Sequence, residues 1–311
     1  MAQQPPAPGT WEEDPAAASI LVATGRPRHD LLVVADPGLL TELDAAWGAP
    51  DASVRLSFLP GVSAPVSPGQ EDALLSYDRW GLGVLVARGR TSLYEGRPAR
   101  RVTAMARTAA GSGLRAAVLV ARAASLGQAA VGDVLVVSDH MSLLGAPLFP
   151  APEPVEAAWD EELTERVAAL DGVLGRGVLA LVPGPVRPTR TEASILAALG
   201  ADAVVMDGVA EAMALASRGV RVVGLACIDS LAGPAETGRR DTRSAGRRAT
   251  RAQEPARTPA QVRGSRRGGQ WSAPRVVRAA IETVLTALRS PRERYLFVAR
   301  TVLIARENGR R

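Results

Sequence analysis

The 311-residue chain has no lysine, one asparagine (Asn308), one cysteine (Cys227), two histidines (His29 and His140) and only 4% aromatic residues. Without lysine, Schiff-base chemistry and a Walker-type phosphate lysine are excluded. All 37 basic residues are therefore arginine. Joint depletion of lysine and asparagine is what a very GC-rich genome produces. A single cysteine allows no intramolecular disulfide and no cysteine-based metal site. Cys227 lies in the apolar run 220–228 and reads as a buried strand residue rather than a reactive thiol. Two histidines, one just before the first apolar run and expected to be exposed, give no basis for a histidine triad or a metal centre. With so few aromatics, Ala, Val and Leu must fill the core. No apolar stretch reaches the roughly 20 residues of a membrane span. The start, Met-Ala-Gln-Gln-Pro-Pro-Ala-Pro, has neither the basic nor the apolar region of a signal peptide. These features predict a cytoplasmic protein.

What is present reads as globular: 47% apolar and 22% charged residues. The length suits one large α/β domain or two small ones, and one is the economical reading. The net charge of +5 is unevenly spread. Residues 238–270 carry ten arginines against Asp241 and Glu254, a local charge of +8 that leaves −3 for the rest. This stretch is rich in Arg, Gly, Pro and Thr without apolar periodicity, so 234–270 is expected to be a disordered insert. It is either a solvated loop or a polyanion-binding segment. No aromatic interleaves the arginines before Trp271, so stacking on nucleic-acid bases is poorly supported.

Elsewhere apolar runs alternate with helical patterns, which predicts an α/β sheet. Strands are expected at 31–35, 54–59, 84–87, 116–121, 133–137, 178–182, 203–206 and 220–228. Helices are expected at 37–47, 99–110, 159–170, 190–199, 210–217, 274–288 and 295–305. A Pro-rich leader spans 1–14, and residues 15–233 with 271–311 form the α/β domain.

Several ordered motifs carry more than a fold. They are Gly89-Arg90 with Tyr94-Glu95-Gly96, Val131-Gly132-Asp133 through Ser138-Asp139-His140, Pro183-Gly184-Pro185, and Leu199-Gly200-Ala201-Asp202 through Met206 to Glu211. In this order and spacing the chain resembles the trimeric purine nucleoside phosphorylases. The resemblance implies a single-domain nucleoside phosphorylase-like α/β fold, a central mixed twisted β-sheet flanked by helices. It also implies phosphorolysis of purine ribonucleosides to free base and ribose 1-phosphate, a homotrimer, and no cofactor or metal beyond phosphate as co-substrate. Such a site must hold an anion, hold the ribose and stabilise negative charge building on the purine.

Matched residue by residue, the phosphate subsite keeps Arg90, but Asp36 and Asp207 stand where the family has serines and Gln70 where it has a histidine. A carboxylate about 4 Å from phosphate costs on the order of 4 kcal/mol per unit charge at an effective dielectric near 20. Both aspartates also precede helical runs, so each is a candidate N-cap. On the nucleoside side Tyr94 and Met206 are kept, Ser92 replaces a histidine, and Arg187-Pro188 replaces the Phe-Glu pair that packs on and reads the base. A shortened loop contributes Arg122 and Ala123, and Arg122 is a candidate counter-charge to the two aspartates. The asparagine that bonds the purine falls at Ser230, with Asp229 beside it as a candidate proton donor if burial raises its pKa. His140 falls in a segment that is chiefly structural. Three functions stand open: a weak or altered phosphorylase, a non-catalytic paralogue that binds nucleosides or partners an active subunit, and an Arg-rich polyanion-interaction protein.

Overall fold

Nine short runs rich in Val, Leu and Ala form one mixed β-sheet in the computed structural model, which describes residues 14–142, 155, 157–184, 186–232 and 272–289. They are β1 (Leu31–Val34), β2 (Ala52–Val54), β3 (Leu74–Arg79), β4 (Leu82–Ala87), β5 (Ala116–Ser125), β6 (Val134–Ser142), β7 (Val173–Leu181), β8 (Ala203–Val205) and β9 (Arg221–Leu231). The order is β2-β3-β4-β1-β5-β8-β7-β6-β9, and β9 also pairs with β5. The last five strands in that order therefore close on themselves, while β2, β3, β4 and β1 extend from β5 as an open sheet.

β1 runs parallel to both β4 and β5. All four residues of β1 and all six of β4 are buried, as expected of parallel strands covered on both faces. Leu31, Val33, Val84 and Val86 face one layer, formed by α2 (Thr41–Trp47), α5 (Glu161–Ala168) and α8 (Ala273–Leu288). Leu32, Val34, Leu85 and Ala87 face the other, formed by α1 (Asp14–Thr24), α4 (Ala104–Ala110) and α7 (Val209–Ala216). Alternate residues of one strand thus hold two helical layers. Helix α8 presents Val276, Val277, Ala280, Ile281, Val284, Leu285 and Leu288, all buried, at the expected spacings of three and four. Helix α6 (Arg190–Ala198) begins with a Thr189–Glu192 capping box and ends before Gly200 at φ +99°.

The structure corrects several expectations. Residues 54–59 are not a strand. Pairing stops at Val54, and a 3-10 turn at Leu56–Phe58 follows because Asp72 accepts hydrogen bonds from Ser57 N at 2.8 Å and Ser57 Oγ at 2.6 Å. β3 was not anticipated, since its Ser-Tyr-Asp-Arg end hides the apolar alternation. It is set by a hairpin to β4 through Trp80 (φ +56°) and Gly81 (φ +82°), the left-handed pair of a tight two-residue turn. The helix expected over 37–47 is a 3-10 turn (Pro37–Leu39) followed by α2, and that over 99–110 is α3 (Ala99–Val102) followed by α4. Asp14 begins a helix rather than ending a leader. Residues 1–13, the Arg-rich stretch 234–270 and the helix expected at 295–305 lie outside the described residues.

His29 is fully buried, not exposed, because it packs on Gly83 of β4 and its Nε2 lies 3.1 Å from Ser76 Oγ of β3. Burial, helped by the Arg26 charge and opposed by Asp30, lowers its pKa to about 4. The folded protein therefore keeps His29 neutral at pH values where the unfolded chain takes a proton. Stability conferred by the neutral ring is complete above the unfolded value of 6.5 and is lost as pH falls below it. Urea titrations should show unfolding free energy falling by about 2 kcal/mol from pH 7 to pH 5, and His29→Gln should flatten that slope. An unchanged slope in the variant would assign the pH dependence to other groups.

Candidate active site

The C-terminal ends of the parallel strands β1, β4, β5 and β9 gather functional side chains at one end of the sheet, where α/β proteins bind ligands. Asp36 follows β1, Arg90 follows β4, Arg122 and Ala123 lie late in β5, and Asp229 and Ser230 end β9; Met206 and Asp207 follow β8. A register shift against β9 between Ala123 and Ala124 bends β5 toward β8. One cavity of about 270 Å³ results, and it brings together all thirteen residues singled out from the sequence. Asp36, Gln70, Arg90 and Asp207 line it with Ser92, Tyr94 and Met206, and Arg122, Ala123, Arg187, Pro188, Asp229 and Ser230 complete the wall.

Arg90 is the buried centre, with a side chain 2% exposed. Its Nη2 donates to Val34 O at 2.9 Å, on the last residue of β1, and to Val120 O at 2.5 Å, in the middle of β5. Its Nη1 donates to Glu211 Oε2 at 3.0 Å and Asp207 Oδ1 at 3.3 Å. The guanidinium is thus already bonded to four protein oxygens. Gly89 is required before it, since a Cβ there would lie 2.5 Å from Glu71 O. Burial opposes the Arg90 charge, but the carboxylates of Glu211, Asp207 and Asp36 prevail and hold its pKa above the usual arginine value. Burial pushes Asp207 and Glu211 above the usual carboxylate range, with Arg90 pulling each back.

Asp36 does not act as a helix cap. Its carboxylate is drawn away from the turn that follows and accepts from Gln70 Nε2 at 2.5 Å and Arg122 Nε at 2.6 Å. Gln70 Oε1 accepts in turn from Arg90 N at 3.0 Å. Asp207 is not a cap either. Gly208 begins α7, and Glu211, three residues on, accepts from Gly208 N at 3.1 Å in the capping-box position while also pairing with Arg90. Glu211 was visible in the sequence only as the end of a motif, although a glutamate three residues into a helix after glycine is the signal that would have found it. Glu95 is a second residue without an assigned role. Its Oε1 accepts from Val66 N, Ser67 N and Ser67 Oγ at 3.2, 3.2 and 2.8 Å, which fastens the loop carrying Gln70 beside Arg90.

Toward the mouth, Ser92 Oγ donates to Met206 O at 3.2 Å. Gly184 packs so closely on Met206 that a Cβ would lie 2.6 Å from Sδ. Asp229 lacks the burial that a proton-donor role requires. Its side chain is 41% exposed, its Oδ1 accepts from Ser230 Oγ at 2.8 Å, and Oδ2 lies 3.8 Å from Arg122 Nη1. Arg122 supplies the expected counter-charge to Asp36 but not to Asp207, its second carboxylate being Asp229. His140 accepts from Trp159 Nε1 at 3.1 Å and does not line the cavity. Cys227 is buried in β9, and burial pushes its thiol up to about 12, so it is unreactive near neutral pH. Among the described residues no cluster of His, Cys, Asp and Glu could hold a metal ion, and no helix is long and apolar enough to cross a membrane.

Removing Arg90 would leave the buried Glu211 carboxylate uncompensated, a change that typically costs about 3–5 kcal/mol, and would take a partner from the partly exposed Asp207. Arg90→Ala should lose stability on that scale in urea unfolding, and Arg90→Ala/Glu211→Gln should recover part of it. An equal loss in both variants would mean that the strand-end hydrogen bonds, not the ion pairs, carry the effect.

The sequence matches the phosphorylase superfamily over residues 66–257. It is 34% identical over 220 residues to the purine nucleoside phosphorylase of Mycobacterium tuberculosis, covering 70% of this chain and 82% of that protein. It is 32% identical over 232 residues to the purine nucleoside phosphorylase of a Cellulomonas species, covering 70% and 79%. The fold superposes on the crystal structure of purine nucleoside phosphorylase from Schistosoma mansoni with a TM-score of 0.62 at 20% identity, over 71% of this chain and 88% of that one. The chain belongs to the phosphorylase superfamily, within its purine nucleoside phosphorylases.

Proposed function

We propose that this protein binds purine nucleosides in the cavity and that its phosphorolysis is strongly attenuated. One observation carries the reading: the carboxylate of Asp36 bonds Gln70 and Arg122, while Arg90 is bonded to Asp207 and Glu211. The groups that would hold phosphate are already neutralised by the protein. An incoming phosphate meets carboxylates as well as arginines, and one uncompensated contact at about 4 Å opposes it by roughly 4 kcal/mol. The base end is altered too, since Arg187 and Pro188 line the cavity where the family resemblance places an aromatic and a glutamate. Tyr94, Met206 and Ser92 leave a wall on which a nucleoside can still rest. The same family membership supports a cytoplasmic homotrimer that needs no cofactor, with phosphate as the co-substrate of any phosphorolysis.

The test is free-base release from inosine, guanosine and adenosine, with and without phosphate. The phosphate-dependent increment should be on the order of 10³-fold below that of the Mycobacterium tuberculosis relative, the factor that roughly 4 kcal/mol represents. Asp36→Ser/Pro188→Glu/Ser230→Asn should raise it. Phosphate-dependent release matching the relative would overturn the reading.

A further inference from the structure

We propose that the cavity cleaves the N-glycosidic bond of purine ribonucleosides by hydrolysis, with Asp207 as the general base that draws a proton from the attacking water. This rests on the reading that the cavity binds a nucleoside, and it adds an acceptor for the sugar that the site can accommodate. Carboxylates that repel phosphate do not repel neutral water.

The four carboxylates at or beside Arg90 and Arg122 are not equivalent. Asp36 has both oxygens engaged, Oδ1 by Gln70 and Oδ2 by Arg122. Glu211 is 1% exposed, lies outside the cavity lining and is held through Oε2 by Arg90 and Gly208, so its unpartnered Oε1 is shut away from the cavity. Asp229 is 41% exposed and bonded to Ser230, so bulk water screens it. Asp207 lines the cavity with its side chain 25% exposed; Arg90 fixes Oδ1 at 3.3 Å, and Oδ2 has no hydrogen-bond partner among the described residues. It is therefore the carboxylate that is both positioned and free to accept a proton. Its charged neighbours are Arg90 after β4, Asp36 after β1 and Glu211 on α7, and burial raises its proton affinity above that of an ordinary aspartate. A base of that kind works closer to neutral pH. Arg90 itself cannot leave to receive an anion without exposing Glu211 and the strand-end carbonyls.

The step balances without a further reactant. Water oxygen bonds to C1′ as the C1′–N9 bond breaks, and the bonding pair leaves on the purine. One water proton passes to Asp207 Oδ2, the purine takes a proton from solvent, and Asp207 returns its own to solvent. The products are free base and ribose, not ribose 1-phosphate.

The experiment incubates the full chain with inosine in phosphate-free buffer, then with phosphate, and separates ribose from ribose 1-phosphate by chromatography. Hydrolysis predicts ribose in both, at a rate that rises with pH as Asp207 loses its proton. Asp207→Asn, with Glu211 still holding Arg90, should lower ribose release by about 10²–10⁴-fold, the usual contribution of a general base, and flatten the pH profile. It also controls for a contaminating hydrolase, and Asp207→Glu should restore part of the rate. Ribose 1-phosphate as the sole sugar product would overturn hydrolysis, and formed at the rate of the Mycobacterium tuberculosis relative it would overturn the attenuated phosphorolysis above as well. Saturable inosine binding with no sugar released would overturn hydrolysis alone. Ribose released equally by Asp207→Asn would also overturn it.

Discussion

Arg90 is the constraint on which the rest of the site depends. Its guanidinium joins the end of β1 to the middle of β5 through Val34 O and Val120 O and reaches α7 through Glu211. These elements are distant in sequence, and the converging strand ends would otherwise leave carbonyl groups without donors in a buried space. A planar five-donor group satisfies several acceptors at once, which lysine cannot do, so the lysine-free composition takes nothing from this position. Once the cation is buried, a compensating anion must be buried with it. Glu211 supplies that anion from the first turn of α7, where its other contact is the Gly208 amide. The ion pair and the helix start are therefore one structural unit.

That unit also accounts for what the aspartates do. With Glu211 already beside Arg90, Asp207 adds a second carboxylate to one cation, and Asp36 recruits Arg122 as its own partner. Gly38 permits this approach, since a Cβ there would stand 3.3 Å from Arg122 Nη2. The cavity therefore sets carboxylates beside its arginines, with Asp36 and Asp207 lining it alongside Arg90, Arg122 and Arg187. Geometry and electrostatics have separated, which is why family membership and family chemistry must be argued independently here.

Much of this was legible in the sequence. Apolar runs located seven of the nine strands, because fully buried parallel strands leave unbroken hydrophobic stretches. β3 escaped because its outer half carries Asp78 and Arg79, and its pairing is dictated by the Trp80-Gly81 turn rather than by its own pattern. The ordered motifs located every cavity-lining residue that was named, since spacing along homologous chains is preserved when side chains change. What spacing could not give was pairing. Asp36 and Asp207 precede helical turns and look like caps, yet neither is one. The Asp36 carboxylate is taken by Gln70 and Arg122, and at the start of α7 Gly208 holds the N-cap position that Asp207 would need. His29 was misjudged for a related reason. A histidine just before a strand looks solvent-facing until it packs on Gly83 of β4 and Ser76, one strand further on in β3, meets its ring.

The distinction between Asp36 and Asp207 shows why counting charges is not enough to read such a site. Both are aspartates near Arg90, and both replace residues that would favour an anion. Asp36 has two firm donors and only 16% side-chain exposure, so its lone pairs are used in holding Gln70 and Arg122 in place. Asp207 has one contact at the long end of the hydrogen-bond range and an oxygen left over. A group with all its acceptors satisfied shapes a cavity, whereas a desolvated group with one unsatisfied acceptor can take part in proton transfer. Substitutions that close a site to one nucleophile can in this way prepare it for another, provided that one of the new carboxylates is left without a full set of partners.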